Sequence, residues 1–393
     1  MIALTATRLY TPVESVEHPI VLMDGETIAE ISSRFSREIP HGAQLLDFPN
    51  AILAPAFVDI HIHGGAGHDV MSADAGGMSE LERLLASHGV AAYLPTTVTA
   101  PLDRILSALD HLAAAIEAAE QNGEVEPQRA QAVGIHVEGP FISHIRRGVH
   151  PPAYLLRPTV DLFERLWQAA RGRIRLMTIA PELEGAKEVI ADATRRGVCV
   201  SLGHSNADLE ATRCGLVAGA RHFTHGFNAM RPLDHREPGI VGQMLTDRQV
   251  SADIIADGIH LNPTIVDLFL KAKGPDLAVL ITDAIAATGM PDGRYRLGTL
   301  EVELKDGRCT ADGRLAGSVL TMDRAVRNIM RFAHWELQHA LRPASLNPAK
   351  VAGLTSRGRL EAGCRADIVV LGLDGQVRST ILRGAVSQAV STR

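Results

Sequence analysis

Eight short apolar runs of β character, most of them separated by helical stretches, constrain this chain more than anything else in it. Strand, helix and strand at regular intervals call for a parallel sheet with helices on its outside. The runs are Phe57–His61, Ala91–Val98, Ala132–Glu138, Arg173–Ala180, Val198–Gly203, His222–Thr224, Ser251–Ile255 and Ala278–Thr282. Helical periodicity is read between them at Met78–His88, Leu102–Glu120, Leu162–Ala170, Gly185–Arg196 and Leu209–Ala218, with a helix N-cap in Asn206-Ala207-Asp208-Leu209. Eight such units close into a (β/α)8 barrel, which takes about 250 residues. A last helix, Met322–Ala340, is expected to close it. The link between the sixth and seventh strands, with Arg231-Pro232-Leu233-Asp234-His235-Arg236-Glu237-Pro238-Gly239, reads as weakly helical and as a substrate loop.

The ends of the runs carry chemistry. His61 and His63 close the first, Glu138 the third, His204 the fifth, His225 the sixth and Asp283 the eighth. In a barrel of this kind all six reach the carboxyl-terminal mouth, where catalytic residues gather. His61 and His63 are two apart on a strand and point to one side, so both imidazoles can reach one ion. Taken singly, each histidine also reads as a core residue, Glu138 as a solvated loop carboxylate and Asp283 as a helix N-cap. As a set they favour a divalent metal, with zinc or iron suited to imidazole plus carboxylate. For one tightly held ion the expected ligands are Glu138, His204 and His225, with a water in the fourth position. For two ions His61 and His63 hold the second and Glu138 bridges, because none of the five lysines ends a strand to serve as a carbamylated bridge. Asp283 remains for general acid–base work on a metal-activated water. The chemistry expected is therefore hydrolysis.

The 393-residue length leaves room for more than the barrel. The first fifty residues alternate like strands around the Asp24-Gly25 turn, and Ala366–Leu371 with Val377–Leu382 form another such pair. The two ends are expected to pair into one small β-sandwich. This gives three segments: 1–53 and 346–393 in the sandwich, 54–345 in the catalytic barrel. A net charge of −6 with no basic run argues against nucleic acid. Four scattered cysteines form no CxxC pair, so neither a disulfide framework nor a structural zinc site is expected. No stretch approaches the ~20 apolar residues of a membrane span, and Met1–Thr11 does not read as a signal peptide, so a cytoplasmic enzyme is expected.

Several segments resemble the amidohydrolase superfamily and, within it, the N-acetylglucosamine-6-phosphate deacetylases, over essentially the full length. Asp59-Ile60-His61-Ile62-His63-Gly64, Leu202-Gly203-His204-Ser205, Ala256-Asp257-Gly258-Ile259-His260 and Thr282-Asp283-Ala284 carry the likeness. The more specific carriers are His136-Val137-Glu138-Gly139-Pro140-Phe141, Thr224-His225-Gly226-Phe227-Asn228-Ala229-Met230 and His235-Arg236-Glu237-Pro238-Gly239. The resemblance implies removal of acetate from a 2-acetamido sugar 6-phosphate. It assigns Glu138, His204 and His225 to the metal, Asp283 to acid–base catalysis and His150 to the acetyl carbonyl. Asn228, the backbone of Ala229, Arg236 and His260 are implied phosphate ligands, with Arg236 reaching in from the other subunit of a homodimer. Some members lack one of the strand-one histidines and bind a single ion; this chain keeps His61 and His63. Gly226 stands where the family carries a larger apolar residue, which predicts a looser turn and a changed sugar pocket. Deacetylation of the N-acetylgalactosamine epimer, hydrolysis of another amide, and a catalytically silent sugar-phosphate-binding barrel are the alternatives.

Overall fold

The computed structural model describes residues 1–11, 13–121 and 128–386. The end of the expected carboxyl-terminal sandwich segment, 387–393, lies outside the described residues.

Eight parallel strands, labelled β1 to β8 in chain order, form the barrel: β1 (Phe57–Ile62), β2 (Val90–Thr97), β3 (Ile135–Glu138), β4 (Ile174–Ile179), β5 (Cys199–Leu202), β6 (His222–Phe223), β7 (Ser251–Ile255) and β8 (Ala278–Ile281). The short strand Gln131–Ala132 adds to β2 ahead of β3. Each neighbour pairs in parallel with the next, from β1·β2 through β7·β8. The ring closes at its mouth, where Asp283 N donates to His61 O at 2.9 Å and His63 N to Ala284 O at 2.8 Å. These strands are buried almost throughout, as strands covered on both faces must be.

The outer helices are α1 (Ala75–Ser87), α2 (Leu102–Gln121), α3 (Val160–Ala169), α4 (Ala186–Arg195), α5 (Leu209–Ala218), α6 (Gly239–Thr246), α7 (Pro263–Leu277) and α8 (Met322–Ala333). Side-chain caps set several starts. Asp74 accepts from Gly77 N and begins α1 three residues earlier than its apolar periodicity suggests. Asp208, within the expected N-cap segment, accepts from Ala211 N at 2.8 Å. Two expectations need correction. The weakly helical β6–β7 link does hold a helix, α6, beginning directly after the polar loop. The final helix is also not continuous: His334 takes a left-handed conformation (φ 55°), ending α8, and a separate short helix spans Leu337–Leu341.

A four-stranded antiparallel sheet, from Gly293–Leu297 to Arg314–Leu315, is inserted between β8 and α8. The sequence reading missed it. Its signals were the alternation in Leu300–Lys305 and the turn dipeptides Asp306-Gly307 and Asp312-Gly313. Leu297, Val302 and Leu304 pack it onto Val98, Ile285 and Ala287 at the barrel mouth.

The two chain ends do pair. One eight-stranded sheet uses Gln44–Pro55 as its middle strand, parallel to Ile2–Tyr10 and antiparallel to Ile368–Gly372. Its far edge curls round until Thr27 bridges Arg365, enclosing Leu4, Val21, Met23, Ile28, Leu53, Ile368 and Val370. Alternate residues Val369 and Leu371 face the other way and join the barrel core.

Candidate metal centre

The last residues of β1, β3, β5, β6 and β8, and those just after them, converge. Glu138 is the hub. Its Oε1 is 3.0 Å from His225 Nε2, 3.2 Å from His204 Nε2 and 3.5 Å from His61 Nε2; its Oε2 is 3.4 Å from His63 Nε2 and 3.5 Å from His150 Nε2. Asp283 Oδ1 lies 3.2 Å from His63 Nε2 and 3.5 Å from His61 Nε2. Two ligand-competent triads share the glutamate: His61, His63, Glu138 and Glu138, His204, His225. All these side chains are buried.

The backbone here is strained. His204 (φ 46°), His225 (φ 30°), Ala229 (φ 49°) and Asp283 (φ 50°) are all non-glycine residues in the left-handed region. Such conformations cost on the order of 1–3 kcal/mol each and persist only where surrounding contacts impose them. Here strand closure and the turns that follow the strands impose them. Asp283 N and O are both bonded, to His61 O and Ser318 N.

Hydrogen bonds fix which face of several rings can bind. Nδ1 of His63 donates to Thr96 O and Nδ1 of His204 to Arg146 O, each at 3.0 Å, which turns both Nε2 atoms inward. That is the orientation a metal-binding imidazole needs. His150 is set the opposite way. Thr99 N–H donates to its Nδ1 at 3.3 Å and Thr99 Oγ1 lies 2.8 Å from the same atom; with Nδ1 the acceptor of both, the proton resides on Nε2, which faces the cavity. Beneath them His136, fully buried, bonds Ile60 O and Thr178 Oγ1 and packs its ring 4.6 Å from that of His61.

The protonation pattern shows how strongly this cluster attracts positive charge. Burial alone would depress His63, but hydrogen bonds to Asp283 and Glu138 push it up to about 10. Burial likewise opposes His225, yet Glu138 raises it to about 9. His204 is pulled down to about 4, chiefly by burial and further by the neighbouring His150 and His225, against the pull of Glu138. Despite burial, His63 and His61 lower Asp283 to about 2, and His61 and His204 hold Glu138 well below the usual carboxylate range. Two buried carboxylates facing four inward imidazoles fit a divalent cation. Nδ1 of His61 and of His225 are buried without a partner, so those two rings lack the ring-side bond that orients the others.

His63, Glu138, His150, His204, His225 and Asp283 line a cavity of about 210 Å3. Asn228, Ala229 and His260 lie along it, with Nδ1 of His260 held 2.7 Å from Asp257 Oδ2. Val98, Val149 and, from the inserted sheet, Leu297 and Leu315 supply its apolar wall. Ten of the eleven expected site residues thus belong to this neighbourhood: His61 is buried within the ligand cluster, while the others border the cavity. Arg236 does not. It is exposed in the β6–α6 loop, its N–H bonded to Asp234. Gly226 is also absent from the lining. A Cβ there would meet Met244 Sδ at 2.7 Å, so Met244 of α6 occupies the space a larger side chain would take, and Gly226 N is bonded to Asp253 O at 2.8 Å. The turn expected to be loose is therefore filled and bonded. Thr99, which sets the tautomer of His150, and the buried pair Asp253 and His222 escaped the sequence reading because each acts through a neighbour distant in the chain.

Comparison with known proteins agrees with this geometry. The model of the amidohydrolase family matches residues 52–386. The chain is 41% identical over 352 residues to an N-acetylglucosamine-6-phosphate deacetylase of Homo sapiens, covering 86% of this chain and 84% of the relative. It is 38% identical over 338 residues to an N-acetylgalactosamine-6-phosphate deacetylase of Escherichia coli O157:H7, covering 86% and 88%. Among solved structures, it is similar to an N-acetyl-D-glucosamine-6-phosphate deacetylase mutant of Mycobacterium smegmatis in complex with N-acetyl-D-glucosamine-6-phosphate. That match has a TM-score of 0.91 and 34% identity and covers 98% of both chains.

Proposed function

We propose that this chain, which belongs to the amidohydrolase family, removes the acetyl group from N-acetyl-D-glucosamine 6-phosphate, giving D-glucosamine 6-phosphate and acetate. The observation that carries this reading is one cavity bordered by the buried carboxylate of Asp283, the imidazole of His150 and two imidazole–carboxylate triads, with Asn228 and His260 along it. Curated relatives of that activity at 34–41% identity support the substrate.

In this reading Glu138, His204 and His225 would hold a divalent cation, zinc or iron, and His61 and His63 with Glu138 could hold a second. Such a cation supplies Lewis acidity, polarising the amide carbonyl and acidifying water. The protein's own groups do the rest. Asp283, ionised far below neutral pH, accepts the proton of the attacking water as its oxygen bonds to the acetyl carbon. His150 donates from Nε2 to the carbonyl oxygen as it becomes an oxyanion, a contact commonly worth about 2.7–4 kcal/mol. As the C–N bond breaks, Asp283 returns the proton to the departing amine. Asn228, the Ala229 backbone and His260 hold the phosphate. Binding energy at that remote end positions the amide for attack. The exposed position of Arg236 suits a role across the interface of a homodimer, completing the phosphate site of the other subunit. We assign the enzyme to the cytoplasm; among the described residues no helix is long and apolar enough to cross a membrane.

The test is acetate release by metal-analysed protein from N-acetylglucosamine 6-phosphate, its galacto epimer and unphosphorylated N-acetylglucosamine. The glucosamine phosphate should give the highest kcat/KM, and removal of the phosphate should lower it at least about tenfold. Preferential turnover of the galacto epimer would reassign the substrate. No turnover with any divalent ion would reject the reading.

A further inference from the structure

The ligand imidazoles are aimed in two different ways. His63 and His204 are anchored through their rings, by Nδ1 to a backbone carbonyl. His225 has no such anchor: its Nδ1 is buried and unpartnered. Its Nε2 nevertheless lies 3.0 Å from both Glu138 Oε1 and His204 Nε2. Something other than the ring must hold it there.

The backbone does. At φ 30° His225 occupies a conformation that a residue with a Cβ adopts only under constraint. Its N–H donates to Oδ1 of Asp253 on the neighbouring strand β7. The other carboxylate oxygen, Oδ2, lies 2.8 Å from His222 Nε2, and His222 Nδ1 is 2.7 Å from Ser251 Oγ. Asp253 and His222 are both fully buried. The main-chain carbonyl of Asp253 also accepts from Gly226 N at 2.8 Å. Asp253 therefore bonds the chain on both sides of the His225 Cα, while His222 fixes the carboxylate from behind. A carboxylate placed wholly out of water is costly unless its oxygens are used, and here each one is. Without it, the two peptide groups around His225 would lose one of their bonds and φ could relax toward negative values, swinging the imidazole away.

We propose that Asp253, backed by His222, is a positioning residue that clamps the His225 main chain and so aims Nε2 at the ion. This rests on the reading of Glu138, His204 and His225 as an ion-holding triad. Asp253 touches neither the ion nor the substrate; it acts through the strained backbone of a ligand that has no ring-side support of its own.

Competition against a zinc chelator measures the clamp directly, with circular dichroism as the check on folding. Asp253→Ala should weaken zinc binding about ten- to a hundredfold, the range found when a ligand loses its outer support. Asp253→Asn keeps an oxygen acceptor for His225 N–H, and His222 can change tautomer to meet the amide, so binding should stay within about threefold of wild type. The cobalt(II) absorption bands should shift in the alanine variant and hold in the asparagine one. Should Asp253→Ala fail to fold, His222→Phe removes the rear support at similar volume and should weaken zinc at least about fivefold. Wild-type affinity in the folded alanine variant, or in His222→Phe, overturns the clamp; so does an asparagine variant as weak as alanine. Wild-type protein that takes up no ion rejects the triad itself, a result distinct from intact binding in the variants.

Discussion

At the barrel mouth the buried groups include His61, His63, Glu138, His204, His225 and Asp283, whereas inside the terminal sheet they include Leu4, Val21, Leu53, Ile368 and Val370. Both regions exclude water, and they use the exclusion for opposite ends. In the sheet, removing apolar surface from water stabilises the fold by about 25 cal/mol per Å2. At the mouth, burial works against every charge. It is tolerated because each carboxylate meets imidazoles and each strained residue is held by hydrogen bonds, His204 O by Ser143 N, His225 N by Asp253, Ala229 O by Ser205 N and Asp283 N by His61 O. The mouth also holds His204, His225, Ala229 and Asp283 at positive φ, while the sheet strands Ile2–Tyr10 and Ile368–Gly372 contain no such residue. Folding energy made in one region supports a costly arrangement in the other.

Substitutions can separate the two. Asp283→Asn should lower kcat at least about a thousandfold, because acid–base catalysis contributes typically 10²–10⁴ and in the proposed mechanism this residue moves the proton twice. Ion content and thermal midpoint should barely change. Near wild-type turnover would remove Asp283 from the chemistry and with it the claim that the mouth's buried charge is catalytic. A smaller effect concerns pH. His63 and His225 are raised to about 10 and 9, so at pH 7 both hold protons; an ion at Glu138, His204 and His225 must displace that of His225, and a second at His61 and His63 that of His63. Apparent ion affinity should therefore rise with pH across 6 to 8, by roughly tenfold per unit for each proton released. Isothermal titration in buffers of different ionisation enthalpy would count those protons, and zero release would contradict the pattern. The smallest effect on catalysis is expected from Ile368→Ala in the sheet core. It should cost about 2–5 kcal/mol of stability by leaving a cavity, seen in denaturant melts, with kcat unchanged. A fall in kcat would mean the two regions are coupled more tightly than their packing indicates.

Much of this was legible beforehand because a strand displays its chemistry locally. The apolar run Val133–Val137 ends on Glu138, and a parallel strand of that kind has only one outlet for a carboxylate, the mouth. The periodicity that located β1 to β8 came within one or two residues of the observed ends for most strands. The third was the exception: Gly134, at φ 158°, separates Gln131–Ala132 from Ile135–Glu138. The inserted sheet was missed although its two Asp-Gly turns are plain, since a barrel reading leaves no slot for four extra strands after β8. The break at His334 was missed because a left-handed residue other than glycine leaves no mark in the sequence.

What the chain determined by itself was which groups would meet. Alternation and helical period fix the strands, and strand ends in a parallel ring must share a face. Only the tertiary structure decided how those groups are oriented. The proton on His150 Nε2 follows from Thr99, 51 residues away; the aim of His225 follows from Asp253, 28 residues on; Met244 fills the space beside Gly226; and Arg236 stays outside the cavity. Orientation of this kind depends on which distant donor or acceptor lies within about 3 Å, a distance set by the packing of strands and not by any pattern along them.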